Sequence, residues 1–266
     1  MTWNFANYFE LLSCIYYHGE EVRTRGLRTK ELTNVVLELN GWNFIWTNEH
    51  RPRLQLLSYL YPEMAWYLSG DRGIEAILPF SKFWRQIRNP DNTINSNYGD
   101  LVFYRTNKYG ITSFNWALDN LLHDKDTRKA IVLYNDRNLF FPENKDLICN
   151  QYQHFMIRRN KLDCTVCLRS SDAIFGLTFN MPWWSFVHQY MRLCLLNKYP
   201  DLELGSITAF ISSSHIYENK YELVNDMLYD EKCACFLQLT TPVALHGTMD
   251  EYLKVLPAIF SEKSNG

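Results

Sequence analysis

Apolar and polar residues alternate along several stretches in the middle of the chain, and apolar residues recur with helical spacing in the stretches around them. The alternating stretches predict strands over 34–39, 129–134, 150–158, 162–169 and 207–212. The helical spacing predicts helices over 9–17, 54–68, 114–122, 182–196 and 217–227. Strands that cluster in the middle, with helices scattered around them, favour the α+β class over a regular βαβ series.

Turn-forming residues mark where several of these elements begin and end. Asn40-Gly41 predicts a turn after the first strand, and Ser69-Gly70-Asp71 ends the helix over 54–68. Pro62 lies within that helix, so we expect the helix to start or to kink there. The two central strands are expected to pair through an Arg-Asn-Lys turn.

The composition indicates a single globular domain. The chain has 266 residues, 47% of them hydrophobic, which is too apolar for a disordered protein and long enough to bury a core. It contains no internal repeat, low-complexity run or linker-like stretch, so one domain spanning residues 1–266 is the simplest organisation.

The charge balance excludes binding to nucleic acid or anionic lipid through bulk charge. Lys plus Arg total 27 and Asp plus Glu total 29, so the net charge is −2. An anionic ligand therefore has to be held by a local arginine cluster. The sequence has no apolar run of membrane-spanning length and no basic, then apolar, N-terminus. We expect a cytoplasmic protein whose cysteines stay reduced.

Two cysteine pairs resemble halves of a metal site. Cys164 and Cys167 lie within a predicted strand, where residues three apart point to opposite faces and cannot bind one ion. Zinc ribbons hold their pairs on tight turns with Gly or Pro nearby, whereas the stretch around Cys164 has no turn residue. Cys233 and Cys235 form the other pair, with one residue between them. The pairs are therefore interpreted as small buried residues, and no metal is expected.

Reactive side chains begin with Cys149, which directly precedes a strand of polar and aromatic residues. Arg169 follows twenty residues later, at the end of the paired strand. A thiol becomes a nucleophile when positive charge nearby lowers its pKa. An arginine on a neighbouring strand supplies that charge, and its planar guanidinium is also suited to a phosphate.

Further polar residues follow in an order that suits a nucleotide. Ser170 adds a hydroxyl donor, and Asp172 and Asn180 bracket a Phe-Gly turn from which they can contact the edge of a heterocycle. His215 and Tyr217 can bind sugar hydroxyls. Each residue alone also has an ordinary structural explanation, such as capping or core packing. No glycine-rich phosphate loop or dinucleotide fingerprint accompanies them.

The joint order of these residues resembles the thymidylate synthase and deoxycytidylate hydroxymethylase superfamily, over about residues 23 to 227. The motifs that carry the resemblance are Glu63–Asp71, Asn97–Gly99, Thr127–Val132, Cys149, Arg169–Asp172, Phe175–Asn180 and His215–Tyr217. The resemblance implies an α+β fold with a large mixed sheet, surrounding helices and a homodimer in which two sheets pack back to back. It implies no metal.

The resemblance also implies a covalent mechanism. Cys149 would add to carbon-6 of a pyrimidine nucleoside monophosphate, which makes carbon-5 an enolate nucleophile. The enolate would attack the methylene of 5,10-methylenetetrahydrofolate, the co-substrate. Glu63 matches the glutamate that acts through ordered water in proton transfer at the ring, and Tyr98 matches the tyrosine beside that water.

Five basic or hydroxyl residues match the family's phosphate contacts. Arg169 corresponds to the arginine that holds phosphate, Ser170 to its hydroxyl partner, and Arg23 to a further phosphate-binding position. Arg128 matches the first of two basic residues that the family donates across the dimer interface. Lys129 stands where the second is typically arginine, and a lysine keeps the charge without the bidentate geometry.

Other matches concern the folate and the sugar. Asp172 corresponds to the aspartate that binds the pterin, Trp84 falls near a folate-contacting tryptophan, and Gly176 is assigned to the same cofactor-binding group. His215 and Tyr217 correspond to the contacts of the sugar 3′-hydroxyl.

Asn180 bears on the base. Uracil offers a carbonyl acceptor at position 4 beside a ring N–H donor, and one carboxamide complements both. Cytosine-specific hydroxymethylases have aspartate at this position, which suits the amino group. Asn180 therefore favours dUMP, although an amide with its nitrogen and oxygen exchanged can also face cytosine.

Several departures from typical synthases bear on the product. Ile148, not proline, precedes the cysteine, and Asn150 replaces the usual histidine after it. The blocks Ile94–Gly99 and Lys82–Gln86 resemble the hydroxymethylase versions. The polar end Ser261–Gly266 differs from the apolar segment that closes over folate in synthases.

A wetter site favours hydration of the exocyclic methylene over hydride transfer, so we expect 5-hydroxymethylation of dUMP. Thymidylate formation with release of dihydrofolate and hydroxymethylation of a cytosine nucleotide are the alternatives within this class. A catalytically inactive nucleotide- or RNA-binding homologue is the alternative from another class. The presence of both Cys149 and Glu63 argues against it, because binding alone needs neither.

Overall fold

The computed structural model of the protein describes residues 2–24, 26–39, 43–47, 53–230, 233–239, 241 and 243–263. The strands within these ranges are β1 (Trp3–Phe5), β2 (Glu20–Thr24), β3 (Leu27–Leu39), β4 (Asn43–Thr47), β5 (Ile131–Leu133), β6 (Asn150–Arg158), β7 (Lys161–Leu168), β8 (Ser171–Asp172), β9 (Glu203–Tyr217), β10 (Cys233–Leu239) and β11 (Phe260–Lys263). The helices are α1 (Tyr8–His18), α2 (Arg53–Ser69), α3 (Trp84–Ile87), α4 (Ser113–His123), α5 (Gly176–Leu195), α6 (Tyr221–Tyr229) and α7 (Met249–Ile259). A π-helical turn covers Asp100–Tyr104, and 3-10 turns cover Arg137–Leu139 and Glu218–Lys220.

Eight of these strands form one mixed sheet in the order β1-β3-β9-β7-β6-β5, with β2 beside β3 and β8 beside β9. The pairs β1–β3, β7–β9 and β8–β9 are parallel, and the other neighbours are antiparallel. β4, β10 and β11 form a second, antiparallel sheet. The predicted α+β class, with a large mixed sheet and surrounding helices, is confirmed.

The β6–β7 hairpin lies inside the large sheet and agrees with the alternation in the sequence. Alternate residues of β7, from Leu162 to Leu168, are buried. Arg159 and Asn160 form the turn in left-handed conformations, with φ of 48° and 58°. Positive φ at both positions gives a two-residue turn whose twist matches that of the strands. The predicted pairing and turn are therefore confirmed.

Three other predicted strands have different lengths in the structure. The strand predicted over 34–39 is the second half of β3, and the one over 207–212 is the middle of β9. Long antiparallel pairing between β3 and β9 extends both strands. The strand predicted over 129–134 covers only β5, because it pairs with β6 through three residues. The turn predicted at Asn40-Gly41 lies outside the described residues.

Helix boundaries differ from prediction where tertiary contacts prevail over local pattern. α2 runs through Pro62, so that helix does not begin there. α5 begins at Gly176, six residues before the predicted start, and Pro182 lies in its interior. The helix predicted from 217 is α6, which begins only at Tyr221, since Tyr217 still pairs with β3 as the last residue of β9. α1 and α4 match their predicted ranges within one residue at each end.

The end of α2 requires glycine on two counts. Gly70 adopts φ +68°, a left-handed conformation that residues with a Cβ rarely adopt. A Cβ at this position would also lie 2.5 Å from the ring of Tyr104. The predicted stop at Ser69-Gly70-Asp71 is confirmed.

α5 is buried along most of its length, as its apolar and aromatic composition predicts. It contacts β7 and β9 of the large sheet and β4 and β10 of the small sheet, so two surfaces of the helix are covered. Trp183 and Trp184 of α5 and Trp66 of α2 are among the largest fully buried side chains. The indole of Trp184 donates to the side chain of Asn150 at 3.2 Å, so α5 packs directly against the strand that follows Cys149.

The cysteine pairs lie on strands rather than on metal-binding turns. Cys164 is buried, whereas Cys167 is partly exposed on the other face of β7. Cys233 and Cys235 belong to β10. In the part of the chain that the structure describes, no group of three or more His, Cys, Asp or Glu side chains is arranged to hold a metal ion. The described helices also include none that is long and apolar enough to cross a membrane.

Candidate active site

The loop before β6 presents Cys149, and Arg169 fixes that loop from the end of β7. The guanidinium of Arg169 donates from Nε to the carbonyl of Ile148 at 3.1 Å and from Nη2 to the carbonyl of Leu147 at 2.5 Å. Its backbone N–H donates to the carbonyl of Cys149 at 3.1 Å. The hairpin register therefore brings the predicted cysteine and arginine together, with the cation bound to the segment that carries the thiol.

Asp146 ties this loop to a second segment that carries Tyr98. Its carboxylate accepts from the backbone N–H groups of Asn95 and Ser96 at 2.7 and 2.8 Å. Burial raises the pKa of Asp146, and these hydrogen bonds oppose the rise, as does the charge of Arg169. Asp146 was not predicted from the sequence, because an aspartate three positions before a cysteine has no distinctive signal.

Tyr98 stands between α2 and the cysteine loop. Its phenol is buried, and both this burial and the charge of Cys149 raise its pKa. Its ring packs on Tyr67 of α2, with 5.1 Å between ring centroids. The next residue, Gly99, passes so close to α2 that a Cβ would lie 1.6 Å from the carbonyl oxygen of Tyr67. Glycine at 99 therefore permits the contact that holds Tyr98 against α2.

Glu63 is a buried carboxyl on α2, and burial raises its pKa to about 7. The Tyr59 hydroxyl donates to its Oε1 at 2.9 Å, and a hydrogen bond from Tyr67 also favours the ionised form. A carboxyl that titrates near neutral pH is suited to accept and return protons. Tyr59 was not identified from the sequence, although its position one helical turn before Glu63 is a detectable signal.

Trp84 is connected to the Glu63 carboxyl through the hydroxyl of Tyr59. Its indole N–H donates to the Tyr59 hydroxyl at 3.0 Å, and its ring contacts Trp66 and Phe83 edge to face. Trp84 is only 5% exposed, so little more than an edge of its ring is open to a ligand. Phe83, immediately beside it, is 52% exposed.

The start of α5 carries the predicted contacts of base and pterin. The Asp172 carboxylate accepts from the backbone N–H groups of Ile174 and Phe175 at 2.8 and 3.3 Å, which orders the turn before Gly176. A Cβ at Gly176 would make only ordinary contacts, so the backbone does not require glycine there. Asn180 lies one turn further along α5 and is half-buried.

The residues predicted to bind sugar lie next to these. His215 pairs with Asp172 of β8 on one side and with Glu31 of β3 on the other. Burial lowers the pKa of His215, as does the charge of Arg169, whereas Asp172 and Glu31 raise it. The rings of His215 and Tyr217 meet edge to face, 5.1 Å apart. The ends of β7, β8 and β9 thus form one polar surface, and Ser170 lies on it, half-buried, between β7 and β8.

Three predicted phosphate contacts are not brought to Cys149 within one chain. Arg23 is exposed on β2, opposite Arg28 and separated from β9 by β3. Arg128 and Lys129 are exposed before β5, and the carbonyl of the following residue, Ala130, accepts from the backbone N–H of Phe155, the sixth of nine residues in β6. Six residues of extended strand between Cys149 and Phe155 correspond to about 20 Å.

Comparisons with known proteins identify a family and several similar proteins. The family model of thymidylate synthase matches residues 6–250. The deoxycytidylate 5-hydroxymethyltransferases of Enterobacteria phages T6 and T4 are each 27% identical over 221 residues, which is 77% of this chain and 89% of theirs. The deoxyuridylate hydroxymethyltransferase of Bacillus phage SP01 is 29% identical over 232 residues, covering 80% of this chain and 57% of that protein.

The family match and the names of these relatives identify a one-carbon transferase. The chain belongs to the thymidylate synthase family.

Proposed function

We propose that the protein transfers a hydroxymethyl group to carbon-5 of dUMP, with 5,10-methylenetetrahydrofolate as the one-carbon donor. The family match and the names of the relatives both support one-carbon transfer to carbon-5 of a pyrimidine nucleotide. The observation that carries the proposal is the pairing of the Arg169-bound Cys149 loop with the buried Glu63, across Tyr98.

The covalent step uses Cys149. Its thiolate adds to carbon-6 of the uracil, and the electron pair of the 5,6 double bond moves towards the carbonyl at position 4 to give an enolate. Carbon-5 then bonds to the methylene carried by the folate, and the carbon-5 proton leaves through water to Glu63. The resulting enolate breaks the bond between the methylene and the folate nitrogen, which releases tetrahydrofolate and leaves an exocyclic methylene on carbon-5. Water adds to this methylene and restores the enolate, which expels the Cys149 thiolate from carbon-6 to give the hydroxymethyl product.

The nucleotide is held along the polar surface at the strand ends. We assign the phosphate to Arg169 and Ser170. Arg23, on β2 at the edge of the sheet, would have to extend across β3 to reach the same phosphate. We assign the sugar 3′-hydroxyl to His215 and Tyr217. Support comes from the register that aligns β8 with the end of β9, since both are next to the end of β7.

The base assignment rests on Asn180. Its amide can donate to the carbonyl at position 4 and accept from the ring N–H, which together match uracil. The relatives divide on this point, since those of phages T6 and T4 are named for deoxycytidylate and that of SP01 for deoxyuridylate. A carboxamide at this position favours the second group.

The residues near the start of α5 fit a folate, which supplies a carbon at the oxidation level of formaldehyde. The Asp172 carboxylate is suited to the N–H donors of a pterin. Trp84 with the exposed Phe83, and Gly176 at the start of α5, would border the same ligand. Water addition instead of hydride transfer is favoured by Ile148 and Asn150, which replace the residues that typical synthases have on either side of the cysteine.

Product identification tests the proposal. The protein is incubated with dUMP labelled with tritium at carbon-5 and with methylenetetrahydrofolate, and the nucleotide and folate products are separated. Tritiated water, hydroxymethyl-dUMP and tetrahydrofolate are the expected products. dTMP with dihydrofolate would establish thymidylate formation instead, and turnover of dCMP in preference to dUMP would establish cytosine specificity.

We also propose that the outer face of the large sheet forms a homodimer. A row of residues crosses five strands in register on this face: Leu133, Tyr152, Cys167, Phe210 and Val36. Leu133 is 57% exposed and Phe210 46% exposed, which forms an apolar stripe of the kind that protein interfaces cover. A partner on this face would bring its own Arg128 and Lys129 towards Cys149.

Mixing two inactive variants tests the shared site. Cys149→Ala and Arg128→Ala are each expected to have low activity as homodimers. After exchange of subunits, half of the dimers combine one chain of each kind and contain one intact site, so about a quarter of the wild-type activity should return. No recovery after verified exchange would contradict donation of Arg128 across the interface.

A further inference from the structure

Tyr59 of α2 contacts four other side chains of the candidate site. Its hydroxyl donates to Glu63 Oε1 at 2.9 Å and accepts from the indole of Trp84 at 3.0 Å. Ser81 also hydrogen-bonds to it. Its ring packs edge to face on Phe179, with 4.8 Å between centroids, and Phe179 directly precedes Asn180 on α5.

The phenol is fixed as a donor towards the carboxylate. Burial and the charge of Glu63 raise the pKa of Tyr59 far above its usual range, so the hydroxyl keeps its proton throughout the working pH range. Trp84 has only an N–H to offer, and the hydrogen bond of Ser81 lowers the pKa of Tyr59, as a donated hydrogen bond does. Both therefore donate to the oxygen of Tyr59 and leave its hydroxyl hydrogen for Glu63. The direction of this chain of hydrogen bonds is therefore determined.

The other groups that face Glu63 do not replace Tyr59. Tyr67 of the same helix also hydrogen-bonds to the carboxyl, and Tyr98 faces it from the segment after α3. Asp146 and Cys149 act on Tyr98, and Asp146 also acts on Tyr67, so their charges lie beyond these two rings. Only Tyr59 among these residues is also bonded to Trp84.

We propose that Tyr59 is a positioning residue that holds the Glu63 carboxylate in one orientation and couples it to Trp84 and, through Phe179, to the helix of Asn180. This inference rests on the proposed function, because Glu63 is taken as the group that receives the carbon-5 proton. A folate that contacts Trp84 would thereby act on the donor that stabilises ionised Glu63. Tyr59 itself makes no bond with the reacting atoms.

Tyr59→Phe tests the proposal, since it keeps the ring against Phe179 and removes the donor. The Tyr59 hydroxyl stabilises the ionised form of Glu63. Its loss should therefore raise the pKa of Glu63 from about 7 to a higher value. The rate of tritium release from carbon-5 follows the ionised fraction of Glu63, so its acid limb should move up by about one pH unit. The expected rate is about tenfold lower at pH 6 and within twofold of wild type at pH 9.

Tyr61→Phe is the matched control, because it removes a hydroxyl from the same helix and Tyr61 stacks on Phe260. Its pH profile should coincide with that of the wild type. Infrared titration of the Glu63 carboxyl, by difference from Glu63→Gln, provides a readout without turnover and should show the same upward shift in Tyr59→Phe. This titration also tests the role of Tyr59 if the variant folds but has too little activity for a pH profile.

Two outcomes separate this inference from the proposed function. Wild-type protein that releases no tritium from dUMP contradicts the proposed function. Active wild-type protein together with a Tyr59→Phe profile and titration that superimpose on the wild type overturns the role of Tyr59 alone.

Discussion

Replacement of Cys149 by alanine is expected to lower tritium release from carbon-5 of dUMP by more than about 10⁴-fold, while nucleotide binding persists. Carbon-5 of uracil is not nucleophilic until a group adds to carbon-6, and the Arg169-bound loop offers one sulfur for that addition. The measurement compares tritium release with calorimetric binding of dUMP. Mass spectrometry of the complex with 5-fluoro-dUMP and methylenetetrahydrofolate should show a covalent adduct in wild type alone.

Cys194→Ala is the control for this experiment. Cys194 lies near the end of α5, and burial raises its pKa to about 11, so it is a poor nucleophile. Its removal should leave tritium release and adduct formation unchanged. A wild-type protein that binds dUMP, forms no adduct and releases no tritium would instead be the inactive nucleotide-binding homologue.

Replacement of Asn180 by aspartate is expected to reverse the preference of the enzyme between uracil and cytosine nucleotides. A carboxylate would face the carbonyl at position 4 of uracil without a donor, whereas it can accept from the amino group of cytosine. Loss of this matched pair should lower kcat/KM for dUMP by about 10²- to 10³-fold. Parallel assays with dUMP and dCMP, on wild type and variant, measure the change.

A matched comparison separates base recognition from disturbance of α5. Asn180→Ala removes both hydrogen bonds and is expected to weaken dUMP turnover without a gain for dCMP. Thermal unfolding of both variants checks that α5 is intact. If Asn180→Asp still prefers dUMP, the amide does not contact the edge of the base.

The hairpin of β6 and β7 and the helices α1 and α4 follow from sequence, because each has a regular period and the hairpin also has its own turn residues. The start of α6 does not follow, since Tyr217 is part of a helical pattern but pairs with β3 instead. α7 and β10 were not predicted at all, although Thr248 and Glu251 form a capping box that the sequence displays. The start of α6 was therefore decided by strand pairing over a long sequence distance, whereas α7 was missed despite a local signal.

The candidate site was predictable where the family motifs carry it and not where packing builds it. The structure brings Cys149 and Arg169 together through the hairpin, as their spacing suggested. Asp146 was missed because its partners, Asn95 and Ser96, lie about fifty positions earlier in the chain. Tyr59 was missed although its partner, Glu63, is only one helical turn away. Arg128 and Lys129 were predicted from the family motif, but a single chain does not bring them to Cys149, since their proposed role depends on a second copy of the chain.

The Asp146 carboxylate has a consequence for exchanging parts between relatives. It accepts hydrogen bonds from the backbone of Asn95 and Ser96, so two segments about fifty positions apart in the sequence are held together next to the start of β6. A chimera that imports only the Ile94–Gly99 segment, or only the Asp146–Cys149 segment, would combine two segments that did not evolve to hydrogen-bond to each other. Grafts intended to alter the product should therefore transplant both pieces together.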